Sequence, residues 1–329
     1  MLSDQYGRVA TDLRVSLTDK CNLRCTYCMP AEGLEWLPKA ALLTDLELDR
    51  LLRVAVERLG VTEIRFTGGE PMIRPGIVGI VERTAALRPR PQLSITTNGL
   101  GLAKTANALA RAGLDRVNVS LDSVDRATFA ALTRRDRLPD VIAGLAAAAD
   151  AGLLPVKVNA VLMRGVNDDQ AVSLVAWCLA RGYELRFIEQ MPLDAEHQWR
   201  RDDMITADEI LDQLRTVYDL TPDDATVRGS APAQTWLING GPGRVGVIAS
   251  VTRPFCGDCD RVRLTADGQV RNCLFAREES DLRTALRAGC SDDELAERWR
   301  AAMWPKRAGH GIDDIGFLSP ERPMSAIGG

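Results

Sequence analysis

The sequence predicts an α/β fold, a partial (β/α)6 TIM-type barrel followed by a C-terminal region of β-hairpins and short helices. Six short apolar runs typical of buried strands alternate with amphipathic segments. This order is expected of parallel strands joined by helical crossovers. After about residue 235 the pattern changes to paired short strands around glycine turns, which predicts hairpins.

The six strand candidates are rich in β-branched and apolar residues. They are Leu13–Leu17, Glu63–Phe66, Gln92–Thr96, Arg116–Leu121, Val156–Leu162 and Glu184–Ile188. The predicted helices are Thr44–Leu59, Gly76–Leu87, Leu102–Ala112, Leu138–Ala151, Asp168–Arg181 and Thr206–Tyr218. The first opens with the capping box Thr44-Asp-Leu-Glu47. A closed TIM barrel needs eight strands, so six predict an open barrel, with a flat doubly wound sheet as the alternative.

The C-terminal region is predicted to hold two hairpins and two helices. The hairpins pair Thr235–Asn239 with Arg244–Ala249 and Arg261–Thr265 with Val270–Leu274, and the helices span about Asp281–Ala288 and Asp292–Trp304. The Pro- and Gly-containing stretch 221–235 is typical of a domain junction. We therefore divide the chain into residues 1–225 and 226–329.

Composition excludes several classes of function. The 329 residues carry a formal net charge of −4, which argues against nucleic acid or an anionic membrane as the main partner. No apolar stretch has membrane-spanning length. The first residues lack a secretory signal, so we expect a reducing, cytoplasmic location in which cysteines serve as ligands and not as disulfides.

Six of the eight cysteines form two triads near opposite ends of the chain. The triads are Cys21, Cys25, Cys28 and Cys256, Cys259, Cys273. A tetrahedral zinc site or a cubane iron–sulfur cluster takes four ligands, so each triad leaves one position open for a substrate. A structural zinc site is the alternative. Cys178 and Cys290 lie in apolar or helical stretches and are interpreted as packed thiols.

Candidate chemistry gathers where the predicted strands end. The first triad follows the first strand, and Gly68-Gly69-Glu70-Pro71 follows the second. Further candidates on or after the later strands are Thr96-Thr97-Asn98-Gly99, Ser120-Leu-Asp122, Lys157 and Met191-Pro192. Active sites of parallel barrels lie at the carboxyl ends of their strands, so we expect one site there.

These motifs resemble a known family. Cys-x3-Cys-x2-Cys with an aromatic residue before the last cysteine, followed by Gly-Gly-Glu-Pro, is similar to the radical S-adenosylmethionine superfamily. Within it, Thr18–Cys25, Ile64–Pro71, Phe255–Arg263 and the Gly-Gly end resemble the GTP 3′,8-cyclase family of molybdenum-cofactor biosynthesis. The similarity covers essentially the whole length.

The resemblance implies a mechanism. Cys21, Cys25 and Cys28 would hold a [4Fe–4S] cluster that chelates S-adenosylmethionine and cleaves it to a 5′-deoxyadenosyl radical. That radical would remove the 3′ hydrogen of GTP, and the ribose C3′ would attack C8 of guanine. A second [4Fe–4S] cluster, on Cys256, Cys259 and Cys273, would face the guanine ring.

The resemblance also implies contacts for the two small molecules. For S-adenosylmethionine they are Tyr27, Gly69, Ser120 and Met191. For GTP they are Arg14, Arg65, Thr96, Lys157, Arg261, Val262 and Arg263. Gly328 and Gly329 would enter the active site, although a Gly-Gly end taken alone is typical of a frayed terminus.

Partners follow from the same resemblance: an electron donor of the flavodoxin or ferredoxin type, and a cyclic pyranopterin monophosphate synthase that acts on the product. A homodimer stays open. Two other hypotheses compete, namely another radical S-adenosylmethionine enzyme with an auxiliary cluster, and a zinc-stabilised binding module. Arg261-Val-Arg263 directly after Cys259 favours a phosphorylated substrate.

Overall fold

A sheet of parallel strands in sequential order forms the centre of the molecule. The structure is a computed structural model that describes residues 1–223 and 228–328. The strands are β1 Asp12–Ser16, β2 Glu63–Thr67, β3 Gln92–Thr97, β4 Arg116–Ser120, β5 Lys157–Val161 and β6 Glu184–Ile188. They lie side by side in chain order, each parallel to the next. A doubly wound sheet would reverse its order at a switch point, so the partial barrel is confirmed.

Helices cover the outer face of the barrel. They are α1 Asp45–Glu57, α2 Ile77–Ala85, α3 Leu102–Arg111, α4 Arg126–Thr133, α5 Leu138–Asp150, α6 Ala171–Leu179 and α7 Ala207–Arg215. The predicted capping box at Thr44 is present, and Thr206 forms a second one with Glu209. Helix α4 was not predicted. The Asp125 side chain caps it by accepting from the backbone N–H of Thr128 at 2.8 Å.

The C-terminal region extends the same sheet. Its elements are β7 Leu220–Pro222, β8 Gln234–Ile238, β9 Arg244–Ile248, β10 Arg261–Leu264, β11 Gln269–Arg271, β12 Ser280–Asp281, α8 Arg283–Arg287, α9 Asp292–Met303 and α10 Met324–Ile327. Both predicted hairpins form, as the antiparallel pairs β8–β9 and β10–β11. Strand β9 also pairs in parallel with β6, and β10 with β1. One strand of each hairpin therefore lengthens the barrel wall, which the sequence pattern did not indicate.

The apolar side chains of the strands pack against the helices. Leu13, Val15, Ile64 and Phe66 are fully buried in one core that also includes Trp299 of α9. The predicted boundary after residue 225 lies among residues 224–227, outside the described residues. Within the described ranges, no helix is both long and apolar enough to cross a membrane.

Candidate active site

Several side chains that face the interior of the barrel are charged or polar, unlike the branched apolar side chains that fill an ordinary TIM barrel. Side chains alternate along a strand, so when Leu13 and Val15 face the helices, Arg14 faces inward. The inward positions line a cavity of about 260 Å³. Its lining includes Arg14, Arg65, Thr96, Ser120, Asn159, Arg186, Arg261 and Arg263. A cavity with several buried arginines among its lining residues is suited to an anionic ligand.

Three arginines at one register position form what we call the arginine row. Arg14 on β1 is aligned with Arg263 on β10 and with Arg65 on β2. The carboxylate of Asp12 lies below them, with Oδ2 3.2 Å from Nη2 of Arg14 and 3.8 Å from Nε of Arg261. One buried carboxylate thus faces several buried guanidinium groups.

The arginine row carries more positive charge than Asp12 can neutralise. Burial opposes ionisation of Asp12, yet the guanidinium groups of Arg14, Arg65 and Arg261 hold its pKa at about 2. Burial and the neighbouring Arg14 lower the pKa of Arg65 and of Arg263 to about 9. Within the described residues, the Nε atoms of Arg14, Arg65 and Arg261 have no hydrogen-bond partner. The arginine row therefore fits an anion with several charges.

Two residues expected to contact GTP lie differently from the rest. Lys157 is at the amino end of β5, where its Nζ is 3.1 Å from a carboxylate oxygen of Glu184, and it is not among the cavity-lining residues. Val262 is fully buried in the core between two inward-facing arginines. Its side chain faces away from the cavity, so only its backbone can reach a ligand there.

Arg186 is a cavity residue that the sequence analysis missed. It lies on β6 and donates hydrogen bonds to Oδ1 of Asn159 at 3.0 Å and Oδ1 of Asn118 at 2.8 Å. Burial lowers its pKa to about 10, so it stays charged at neutral pH. The signal was present in the alternation Glu-Leu-Arg-Phe-Ile, where an arginine sits between two buried apolar residues.

The first cysteine triad lies on a loop that helix α4 holds in place. Backbone N–H groups of Arg24 and Thr26 donate to the carbonyls of Thr133 at 3.1 Å and Leu132 at 2.9 Å. The guanidinium of Arg134 donates to the Met29 carbonyl at 2.9 Å. The unpaired carbonyls at the end of α4 therefore find donors in this loop.

The surroundings of the first triad disfavour free thiolates. Burial, then the carboxylate of Asp122, raises the pKa of Cys25 well above its usual value, and burial with Cys21 raises that of Cys28 to about 12. Binding to a cationic metal centre would stabilise these thiolates. Tyr27 is fixed alongside, since its hydroxyl donates to Asp122 at 2.8 Å.

The donor atoms of the two triads fit an iron–sulfur cluster. Among the described residues, no three Cys, His, Asp or Glu side chains are placed to hold one metal ion. Zinc would draw all its sulfurs to about 2.3 Å from one centre, whereas each cysteine of a cubane binds a different iron. Both triads offer thiolate donors only, so their chemistry fits [4Fe–4S] clusters with an open iron.

The Gly-Gly-Glu turn packs directly on the segment that leads into Cys21. The N–H of Gly69 donates to the Thr18 carbonyl at 2.8 Å, and that of Glu70 donates to the Lys20 carbonyl at 2.7 Å. The buried Glu70 carboxylate accepts from the Asn98 backbone at 2.7 Å, although burial raises its pKa to about 7. The turn and the first triad are therefore one rigid unit.

The second triad lines a smaller cavity of about 90 Å³ that adjoins the larger one. Cys256, Cys259 and Cys273 all contribute to it. Tyr27 and Cys28 line the larger cavity, and Met191, Arg261 and Arg263 line both. The second triad and Cys28 of the first triad therefore face adjoining cavities inside one barrel, and not opposite surfaces of the molecule.

Cationic groups lie beside Cys259 of the second triad. Burial raises the pKa of Cys256. Burial opposes ionisation of Cys259 as well, but the Lys306 ammonium and the Arg261 guanidinium lower its pKa below the usual value. Cys259 thus has cationic neighbours, whereas Cys25 of the first triad has the carboxylate of Asp122 nearby.

The chain end lies against the arginine row. The Arg263 guanidinium donates to the Gly328 carbonyl, and Met324 of α10 lines the larger cavity. Gly328 has a φ of +78°, which favours glycine. The expected role of Gly329 falls outside the described residues.

Fold and site together define a radical S-adenosylmethionine protein. The Radical SAM superfamily model matches residues 15–178. The fold is similar to that of Streptococcus suis SuiB bound to S-adenosylmethionine (15% identity, TM-score 0.62), covering 84% of this chain and 64% of SuiB. It is also similar to native anSMEcpe with bound AdoMet (14% identity, TM-score 0.60), covering 92% of this chain and 82% of that one.

Curated relatives narrow the class to a family. A model described as Molybdenum Cofactor Synthesis C matches residues 183–312. GTP 3′,8-cyclase of Streptomyces coelicolor is 67% identical over 100% of this chain and 96% of its own length. GTP 3′,8-cyclase of Mycolicibacterium smegmatis is 64% identical over 100% of this chain and 92% of its own. The chain therefore belongs to the GTP 3′,8-cyclase family.

Proposed function

We infer that this chain is a GTP 3′,8-cyclase. It converts GTP to (8S)-3′,8-cyclo-7,8-dihydroguanosine 5′-triphosphate, the first step of molybdenum-cofactor biosynthesis, with S-adenosylmethionine and two [4Fe–4S] clusters as cofactors. The observation that carries this conclusion is the pair of adjoining cavities: the second triad lines one, Cys28 of the first triad and the arginine row line the other, and Arg263 of that row lines both. One nucleotide can reach the second triad with its base and the arginine row with its phosphates.

We assign the first cluster to Cys21, Cys25 and Cys28. When bound and reduced, it supplies the electron that splits S-adenosylmethionine into methionine and a 5′-deoxyadenosyl radical. Tyr27, Ser120 and Met191 line the cavity beside this triad and are suited to hold the adenosyl part. Gly69 places backbone next to the triad for the methionyl end, because a glycine allows close approach.

We assign the second cluster to Cys256, Cys259 and Cys273, with the guanine ring at its open iron. Arg14, Arg65, Arg261 and Arg263 bind the triphosphate, Thr96 contacts the nucleotide, and we add Arg186 to this set. Val262 contributes its backbone. Lys157 would contact GTP only after leaving Glu184, which makes it the least supported member of the set.

The surrounding chain excludes water from the reacting atoms. The tail with Gly328 lies against Arg263, and α10 contributes Met324 to the cavity wall. Closing this end of the barrel protects a radical from quenching and strengthens the ionic contacts to phosphate. We propose that Gly328 and Gly329 serve this closure and help to orient the substrate.

We propose the remaining partners from the chemistry. Reduction of the first cluster requires a one-electron donor of the flavodoxin or ferredoxin type, and the product requires a cyclic pyranopterin monophosphate synthase. All eight cysteines are free thiols, which supports a reducing, cytoplasmic location. We keep residues 1–225 and 226–329 as two functional regions, one for each cluster, and a homodimer as the assembly to test.

The assignment is tested with anaerobically reconstituted enzyme, a reductant, S-adenosylmethionine and GTP. 5′-Deoxyadenosine and the cyclised nucleotide are measured together. Cys25→Ser is expected to abolish both products, whereas Cys256→Ser retains some 5′-deoxyadenosine and loses cyclisation. Cys290→Ser, at a thiol outside both triads, is the control and keeps both. Equal behaviour of Cys25→Ser and Cys256→Ser would contradict the division of roles between the triads.

A further inference from the structure

Lys306 is a buried lysine whose ammonium contacts Cys259 of the second triad and the strand that follows it. It follows helix α9 and is 2% exposed. Its Nζ lies 3.4 Å from Sγ of Cys259, 3.1 Å from the Cys259 carbonyl and 2.9 Å from the Arg261 carbonyl. An ammonium has three donors, so these contacts use its full capacity.

The charge of Lys306 has no carboxylate partner within residues 1–223 and 228–328. A buried ammonium without an anion is costly, and hydrogen bonds to carbonyls compensate only part of that cost. The one anionic group that its contacts offer is the thiolate of Cys259. An ionised Cys259 sulfur therefore explains the position of Lys306, and a cluster ligand must be ionised in this way.

Arg8, from the amino-terminal segment, provides a comparison because it contacts Cys256 and the residue after Lys306. Its guanidinium donates to the Cys256 carbonyl at 2.7 Å and to the Arg307 carbonyl at 2.6 Å, and it is paired with Asp4 at 2.6 Å. Arg8 therefore braces the segments around Cys256 and Arg307 by hydrogen bonds to their backbone carbonyls, and Asp4 neutralises its charge. Lys306 differs because its ammonium reaches a ligand sulfur.

We propose that Lys306 is a positioning residue for the second cluster, holding the Cys259 thiolate and raising the reduction potential of the cluster through an ammonium–sulfur hydrogen bond. Hydrogen bonds to sulfur and local charge set the potentials of such clusters. A nearby positive charge stabilises the reduced state, which carries one more electron. The same ammonium fixes the carbonyl of Arg261 and so links the second cluster to the phosphate-binding arginines. This inference rests on the proposed assignment of the second triad.

The test isolates the second cluster in the full-length chain. Cys21, Cys25 and Cys28 are replaced together by serine, the protein is reconstituted anaerobically, and iron and sulfide are quantified. A redox titration followed by electron paramagnetic resonance then gives the midpoint potential. Lys306→Met removes charge and donors, and Lys306→Gln keeps neutral donors. The control Arg8→Met is made together with Asp4→Asn, so that it removes the brace without changing the net charge or a contact to sulfur.

We expect the midpoint potential of the second cluster to be highest in the parent, lower in Lys306→Gln and lowest in Lys306→Met. The reduction equilibrium should shift at least tenfold for Lys306→Met, which is about 59 mV for one electron. Arg8→Met should stay close to the parent. Equal potentials in Lys306→Met and the parent, or an equal shift in Arg8→Met, would overturn the proposal.

Two further outcomes are separable. If both Lys306 variants fail to take up iron while Arg8→Met does, the role of Lys306 is structural and the electronic proposal is wrong. If the parent with Lys306 intact shows no cluster signal, the assignment of the second triad fails instead.

Discussion

Gly69→Ala tests the closest backbone contact in the proposed site. A Cβ at this position would lie 2.6 Å from the carbonyl carbon of Lys20, and closer still to the carbonyl oxygens of Asp19 and Lys20. Real Cβ atoms essentially never come within 3.0 Å of such atoms, and ordinary contact begins at 3.4 Å. Both neighbours are backbone, so no flexible side chain can move aside.

The expected effect follows from the displacement that the methyl group requires. Restoring ordinary contact moves the turn, or the segment before Cys21, by about 1 Å, and a misplacement of that size can cost about 100-fold in rate. Overpacking adds a loss of roughly 1–3 kcal/mol in the free energy of unfolding. We therefore expect cleavage of S-adenosylmethionine to fall about 100-fold.

The assay measures 5′-deoxyadenosine formed per iron bound, together with thermal unfolding. Gly79→Ala is the matched control, since Gly79 lies within helix α2 and its Cβ would meet only the flexible Arg83 side chain. Alanine is favoured over glycine in a helix by roughly 0.5–1 kcal/mol, so this variant should be unchanged or slightly more stable. If Gly69→Ala cleaved S-adenosylmethionine at a rate within a few-fold of the parent, the clash with the Asp19 and Lys20 backbone would not control the geometry of the first triad.

Three further predictions concern the chain end, the carboxylate beside the arginine row, and Arg186. Gly328→Ala would place a Cβ 2.8 Å from Cγ2 of Thr67, so cyclisation should fall at least about tenfold with iron content unchanged. Gly316→Ala controls for backbone strain, because Gly316 has a similar φ of +84° and its Cβ would lie in open space. Equal losses of cyclisation in both variants would contradict the packing argument. The pKa of Asp12 is about 2 in the folded chain, whereas its ordinary value is 3.8. The ionised carboxylate therefore stabilises the fold above pH 3.8, and this stabilisation is lost as the pH falls through about 2. Asp12→Asn should therefore lower the free energy of unfolding at pH 7 by about 2 kcal/mol, as measured by urea titration. The difference between the variant and the parent should shrink below about pH 4. A difference that persists at that pH would count against the ion pair. Arg186→Gln should raise the KM for GTP about tenfold, the equivalent of one charged hydrogen bond, and an unchanged KM would remove this residue from the phosphate site.

The fold was largely accessible from sequence because its strands and helices obey local rules. Buried strands such as β2 and β3 were predicted almost to the residue, and the Thr44 capping box marked the start of α1. Helix α4 was missed because only eight residues, Arg126–Thr133, carry its signal. Its function is to hold the first triad, a contact between segments about 100 residues apart that no local pattern encodes.

Residue type and spacing are enough to specify the chemistry of this protein, which rests on two incomplete sets of cysteine ligands, a glycine turn and the arginines after Cys259. The tertiary structure decided how they meet. Strand β10 pairs with β1 across some 250 residues of chain, and this register alone aligns Arg263 with Arg14 and brings the second triad to the barrel wall. The proposed roles of Arg186 and Lys306 also depend on the tertiary structure, because burial and the absence of a carboxylate partner among the described residues are properties of the folded chain.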